Sequence, residues 1–232
     1  MTTSEGTVQP SEVLCIIPAL NESEVISNVI GPLVSIGYRV LLIDDGSRDS
    51  TADIARTSGA EVISHPINLG QGASLETGFE AVRRGLLTAT YVATFDADGQ
   101  HSAEDLAIML KAFQSDPHLQ VALGSRFLQN STQVPRLKRI LLPLSAKLAR
   151  LTLGLTLTDR NNGMRMFRAD ALADVRITVP GYGHADEILH AIRRAKLRYT
   201  EVPVRIVYTD YSKGKGQPLI NAVRILFDQM LG

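Results

Sequence analysis

YVATFDADGQH, residues 91–101, runs from an apolar stretch, Tyr91 to Phe95, straight into two aspartates one residue apart, Asp96 and Asp98. A short apolar run bounded by turn residues reads as a buried strand. The two carboxylates therefore sit at a strand's carboxyl end. Like charges held together there repel each other and lose solvation. A divalent cation would cancel that cost, because paired hard oxygen ligands suit Mg²⁺ or Mn²⁺. The cation could then hold a diphosphate.

The same pattern repeats on either side. VLCII (Val13 to Ile17) and VLLI (Val40 to Ile43) read as buried strands, and EVI (Glu61 to Ile63) and QVALG (Gln120 to Gly124) extend the series. Amphipathic segments lie between them. In AEDLAIMLKAF, Leu106, Met109, Leu110 and Phe113 recur at i, i+3, i+4 and i+7, which is one face of a helix. Strand and helix in alternation predict an α/β fold, a mainly parallel central sheet with helices on both faces. Ligands of such sheets bind beyond the carboxyl ends of the strands. Asp44-Asp45 and Asp96-x-Asp98 both fall there.

After Arg126 the alternation stops. Residues 135–155, PRLKRILLPLSAKLARLTLGL, form a basic, leucine-rich helical stretch interrupted by Pro143. EVPVRIVY (Glu201 to Tyr208) reads as a strand whose start is marked by a proline. The glycine-containing YSKGKGQP and a helix over 219–230 follow. A loose tail over 1–12 and one domain over 13–232 are expected.

The bulk composition narrows the function. Lys plus Arg (24) equal Asp plus Glu (24) in the 232 residues, which gives no electrostatic reason to expect nucleic acid as a partner. One cysteine, Cys15, excludes an intrachain disulfide framework and suits a reducing compartment. MTTSEGTVQP is polar and unlike an export signal. No apolar run approaches the ~20 uncharged residues of a membrane span. A cytoplasmic protein is expected, either free or lying on a membrane surface.

Other readings of the paired aspartates fail on position. An EF-hand loop starting at Asp96 needs glycine where His101 stands. A dinucleotide fingerprint would follow the first strand directly, but PALNE stands there. The G-K-[ST] of a phosphate loop is absent, and a dehalogenase-type phosphatase would carry its D-x-D after the first strand.

Six motifs occur in order: PALNE (18–22), DDGSRDST (44–51), NLGQGASLETG (68–78), DADGQH (96–101), GSRF (124–127) and DRNNGMRMF (159–167). Together they resemble glycosyltransferase family 2, and within it the polyprenyl-phosphate glycosyltransferases typified by dolichol-phosphate mannose synthase. The resemblance runs from about Val13 to the end. It implies a GT-A fold, a nucleotide-diphospho-sugar donor (UDP- or GDP-linked), and an inverting, metal-assisted transfer. Carried over by position, Pro18, Asn21 and Glu22 line the nucleotide pocket, and Asp44 or Asp45 contacts base or ribose. Gly46, Ser47, Gly72 and Asp96 join the donor contacts. Asp96, Asp98 and Gln100 serve the metal, and Arg126 adds positive charge near the reacting phosphates. Gln71 stands where many relatives have lysine.

The acceptor divides into two cases. A hydroxyl needs a general base, and HADE (His184 to Glu187) offers Asp186 first and Glu187 second, where some members place theirs. An acidic first helical turn explains the same residues equally well. A lipid phosphate is already anionic and needs cations, which Arg126, Arg139, Arg205, Lys213 and Lys215 supply. The lysines sit in a glycine-containing loop able to fold over the donor. Arg136, Lys138, Arg139, Lys147 and Arg150 among leucines read as a membrane-surface or partner-binding helix. The expected acceptor is a polyprenyl phosphate of undecaprenyl or dolichyl type, with the enzyme peripheral on the membrane or held there by a small membrane partner. A saccharide hydroxyl with Asp186 as base, and a sugar-nucleotide-binding module without turnover, are the alternatives. His65 and His101 show no partner in the sequence.

Overall fold

The computed structural model describes residues 8–128, 154–160, 162–181 and 183–206. Arg139, Lys213, Lys215, most of the basic leucine-rich segment and the expected 219–230 helix lie outside these residues. In chain order the elements are β1 (Val13–Ala19), α1 (Ile26–Ile36), β2 (Arg39–Asp44), α2 (Thr51–Thr57), β3 (Glu61–Ser64), α3 (Gln71–Arg83), β4 (Tyr91–Thr94), α4 (Ala103–Ser115), β5 (Val121–Ser125), β6 (Arg165–Arg168), α5 (His184–Arg194) and β7 (Tyr199–Pro203).

The strands form one seven-stranded sheet in the order β3-β2-β1-β4-β6-β5-β7. β6 runs antiparallel to both its neighbours, and every other pairing is parallel. The expected mainly parallel sheet is therefore present, with one reversed strand inserted beside β4. Every β1 residue is buried, as a strand covered on both faces requires. Cys15 belongs to this core, as its apolar neighbours predict.

Side chains alternate between two cores. Val13, Cys15 and Ile17 join α1 and α4 residues such as Ile30, Leu33, Leu106 and Met109 on one face. Leu14 and Ile16 join Leu75 and Phe79 of α3 and Ile188 and Ile192 of α5 on the other. Fully burying one such side chain stabilises by about 1.5–3 kcal/mol. This two-sided covering leaves the sheet's carboxyl edge as the place where loops can build a site.

Two strand readings need correction. The Glu201–Tyr208 strand begins at Tyr199 and ends at Pro203, so the proline closes the strand instead of opening it. It pairs with β5 from Val121↔Tyr199 to Ser125↔Pro203. β6 was not anticipated. It reverses the chain so that β5 leaves the sheet, and β6 re-enters it, at the same edge.

Candidate active site

The loops after β1 and β2 hold each other. The Asn21 N–H donates to Ser47 Oγ at 2.9 Å, and the Arg48 N–H donates to Asn21 Oδ1 at 2.9 Å. The Glu22 N–H donates to Thr51 Oγ1 at 2.8 Å, and the Ser23 N–H to Asp49 Oδ2 at 3.2 Å. Asn21 takes φ +54°, a left-handed conformation that asparagine tolerates better than most residues. Asn21 and Ser47 thus act first as the clasp that shapes the pocket. Pro18 is buried in β1 opposite Ile43, and Gly46 turns the chain at φ +76°.

Asp44 and Asp45 are both buried and take different partners. Asp44 Oδ1 accepts the Ser47 N–H at 3.1 Å. Asp45 accepts the Leu69 and Gly70 N–H groups at 2.9 and 2.8 Å and faces His65 Nδ1 at 2.8 Å, while His65 Nε2 meets Thr77 Oγ1 at 2.9 Å. Asp45 therefore ties β2 to the approach of α3. His65 is a buried partner in that tie, which corrects the reading that it has none.

The D-x-D pair stands at the end of β4. His101 Nε2 lies 2.8 Å from Asp96 Oδ2, and Gln71 Nε2 donates to Asp96 Oδ1 at 3.4 Å. His101 is not partnerless either; its side chain is 2% exposed, against 33% for Asp96. Gly163 permits the arrangement, since a Cβ there would stand 2.7 Å from Asp96 Oδ2. Burial disfavours charge on Asp96. The His101 hydrogen bond, with the charges of His101, His184 and Arg165, outweighs that and holds the carboxyl below the ordinary range. Asp98 goes the other way: burial first, then the Asp96 charge, push it up, with Glu22 adding to the repulsion. Burial lowers His101, but its bond to Asp96 and the charges of both aspartates win and raise it. The Gln100 N–H donates to Asp98 Oδ1 at 3.0 Å.

These residues fit a divalent cation that keeps open positions. No cluster of three or more His, Cys, Asp or Glu gathers among the described residues. Two carboxylates, Asp98 raised by burial and then by Asp96, are a donor set suited to a Mg²⁺-type ion, which would complete its shell with other oxygen ligands and water.

Arg126 is less open than its motif implies. Its Nε and Nη2 donate to Asp159 Oδ2 and Oδ1 at 2.6 and 2.7 Å, and its N–H donates to Oδ2 at 3.1 Å. Glu201 on β7 accepts the Thr158 and Asp159 N–H groups at 2.8 and 3.0 Å, fixing the loop that carries Asp159. Ser125 Oγ and Thr158 Oγ1 are 2.6 Å apart. Arg205 is exposed, and its N–H donates to Asp105 Oδ2 at 2.7 Å. Beside it, His101 bridges to Ile206.

Both candidate bases are engaged. Asp186 forms a two-point ion pair with Arg160, at 2.7 Å from Nε and 2.6 Å from Nη2. Glu187 accepts the Thr178 and Val179 N–H groups at 2.8 Å each and the Thr178 hydroxyl at 2.5 Å, so it holds the segment entering α5. Gly72 lies where that segment meets α3, and its N–H donates to the Pro180 carbonyl at 2.7 Å. Two groups at the site carried no expectation: Arg165, 3% exposed, and His184, 8% exposed. Burial lowers Arg165 to about 10 against the opposing charges of Asp186, Asp96 and Asp159, so it remains cationic near neutrality. The Gly163-Met164-Arg165 run within DRNNGMRMF was the available signal for Arg165.

Comparison with known proteins points to one family. The family model described as glycosyl transferase family 2 matches residues 14–176. The undecaprenyl-phosphate mannosyltransferase of Micrococcus luteus is 31% identical over 91% of this chain and 93% of its own length. The UDP-N-acetylglucosamine–dolichyl-phosphate N-acetylglucosaminyltransferase of Methanococcus voltae is 29% identical over 93% of each. Among solved structures, glucosyl-3-phosphoglycerate synthase from Mycobacterium tuberculosis, in complex with Mn²⁺, UDP and glucosyl-3-phosphoglycerate, superposes with a TM-score of 0.70 at 20% identity, covering 95% of this chain and 79% of its own.

Proposed function

The chain belongs to glycosyltransferase family 2, and from that premise we propose that it transfers a sugar, with inversion, from a nucleoside-diphosphate sugar to a polyprenyl phosphate at the cytoplasmic face of a membrane. The observation that carries the acceptor is the Arg160–Asp186 ion pair. A general base must reach the acceptor hydroxyl with an oxygen, and both Asp186 oxygens are committed to the Arg160 guanidinium. Glu187 is spent on backbone N–H groups. An acceptor that arrives already anionic needs neither.

Asp96 and Asp98 would hold Mg²⁺ or Mn²⁺, the ions with which structurally similar glucosyl-3-phosphoglycerate synthase has been crystallised. When bound, the ion supplies Lewis-acid stabilisation of the departing diphosphate. His101 and Gln71 orient Asp96, and the clasped loops after β1 and β2 shape the nucleotide pocket, with Asp44 closest to an open role toward base or ribose. Arg126, steadied by Asp159, faces the phosphates. No described helix is long and apolar enough to cross a membrane. Attachment would fall to the basic leucine-rich stretch or to a membrane partner.

The test is to incubate the chain with UDP-glucose, UDP-N-acetylglucosamine and GDP-mannose plus Mn²⁺, with and without undecaprenyl phosphate, following nucleotide release and lipid-linked product. Asp186→Asn should keep the rate within about tenfold, whereas loss of a true general base costs ~10²–10⁴. A loss of that size with an unchanged melting temperature, or product on a saccharide and none on lipid, would overturn the acceptor assignment.

A further inference from the structure

His184 opens α5 with its ring nitrogens in different situations. Nδ1 lies 2.8 Å from the Gly181 carbonyl oxygen, which can only accept, so Nδ1 carries the hydrogen. Burial, aided by the Arg165 charge, outweighs that hydrogen bond and keeps the imidazole below its ordinary value, hence neutral near pH 7. Nε2 is then a bare acceptor. Among the described residues it makes no hydrogen bond or ion pair.

The Arg165 guanidinium is the converse. It is donor-only, stands on β6 opposite Thr94, and its side chain makes no hydrogen bond or ion pair among the described residues. The three carboxylates whose charges it feels are already paired, Asp186 with Arg160, Asp159 with Arg126, and Asp96 with His101. Both groups are more than nine-tenths buried. The polar side chains of residues so buried are nearly always hydrogen-bonded.

They also lie beside the D-x-D pair. A Cβ on Gly72 would stand 3.0 Å from the His184 Cβ, and the next residue, Gln71, reaches Asp96. Asp96 registers the charges of His184 and Arg165, and His184 registers those of Arg165 and Asp96. An acceptor and a donor left open in one place match a hydroxyl, which donates once and accepts as well.

We propose that His184 Nε2 and the Arg165 guanidinium together recognise a hydroxyl of the transferred sugar, His184 accepting its hydrogen and Arg165 donating to its oxygen. The proposal rests on the nucleotide-sugar reading of the site. It makes the pair a determinant of which sugar is taken, separate from the nucleotide contacts.

Calorimetric titration of the full chain with MnCl₂ tests it, using UDP, GDP, UDP-glucose, UDP-N-acetylglucosamine and GDP-mannose as probes. The wild type should bind at least one sugar nucleotide more tightly than its bare nucleotide. His184→Met, which cannot accept, should lose about tenfold on that sugar nucleotide, the worth of one hydrogen bond, with bare-nucleotide affinity unchanged. His184→Gln, which retains an acceptor oxygen, should recover part of the loss, and it decides the matter if the methionine variant fails to fold. Equal losses for nucleotide and sugar nucleotide, or no loss, overturn the proposal. A wild type that binds no nucleotide at all sinks the nucleotide-sugar reading instead.

Discussion

Asp98 is held in the site against its own preference. Burial and the neighbouring Asp96 raise its pKa, so in the metal-free protein its negative charge is a destabilising element. Asp98→Asn should therefore raise the melting temperature without metal, abolish the increase that Mn²⁺ gives the wild type, and cut transfer by at least ~10²–10³. A variant with unchanged Mn²⁺-induced stabilisation would show that the ion binds elsewhere. Asp45 predicts the opposite sign. Asp45→Ala strips two N–H groups and His65 of their acceptor, and should lower stability by about 1–3 kcal/mol in urea denaturation. The sequence shows Asp44 and Asp45 as equals in one motif, and Asp96 and Asp98 as equals in another. Their division of labour depends on His65 and Leu69, some twenty residues away, and on His101 turning back onto Asp96. Contacts of that kind leave no periodic trace.

At the scale of elements, β1, β2, β4, β5 and α4 were legible because each buries an apolar run or stripe long enough to declare its period. β6 was not. RMFR, residues 165–168, spans four residues with arginine at both ends, and a guanidinium in the core is the improbable reading of an arginine. The clasped loops carry a pH signature. Burial would raise Asp49, but hydrogen bonds from Thr51 and Ser23 prevail and lower it to about 2. A carboxyl depressed in the folded state contributes stability above its unfolded pKa and loses it as pH falls toward the folded value. Between pH 4 and pH 2 the wild type should lose stability more steeply than Asp49→Asn. Parallel curves would remove the clasp's electrostatic role.

For the whole molecule, a balanced charge hides local asymmetry: residues 135–155 carry Arg136, Lys138, Arg139, Lys147 and Arg150 and no acidic residue. If that stretch meets lipid, the chain should co-sediment with anionic vesicles and be released by high salt. Arg136→Glu with Lys138→Glu and Lys147→Glu should abolish the binding, and its persistence would move the contact elsewhere. The reversed strand β6 has a further consequence. The chain leaves at Ser125 and returns to β6 at one edge of the sheet, and Arg126–Asp159, Ser125–Thr158 and Glu201 staple the two ends together. Once its ends are closed, the length of a segment costs little, about 0.6 kcal/mol per doubling. A segment of different length joining the same two ends would therefore cost the sheet little, much as a cassette can be changed in its socket. Evolution could graft a new one there without relearning the donor.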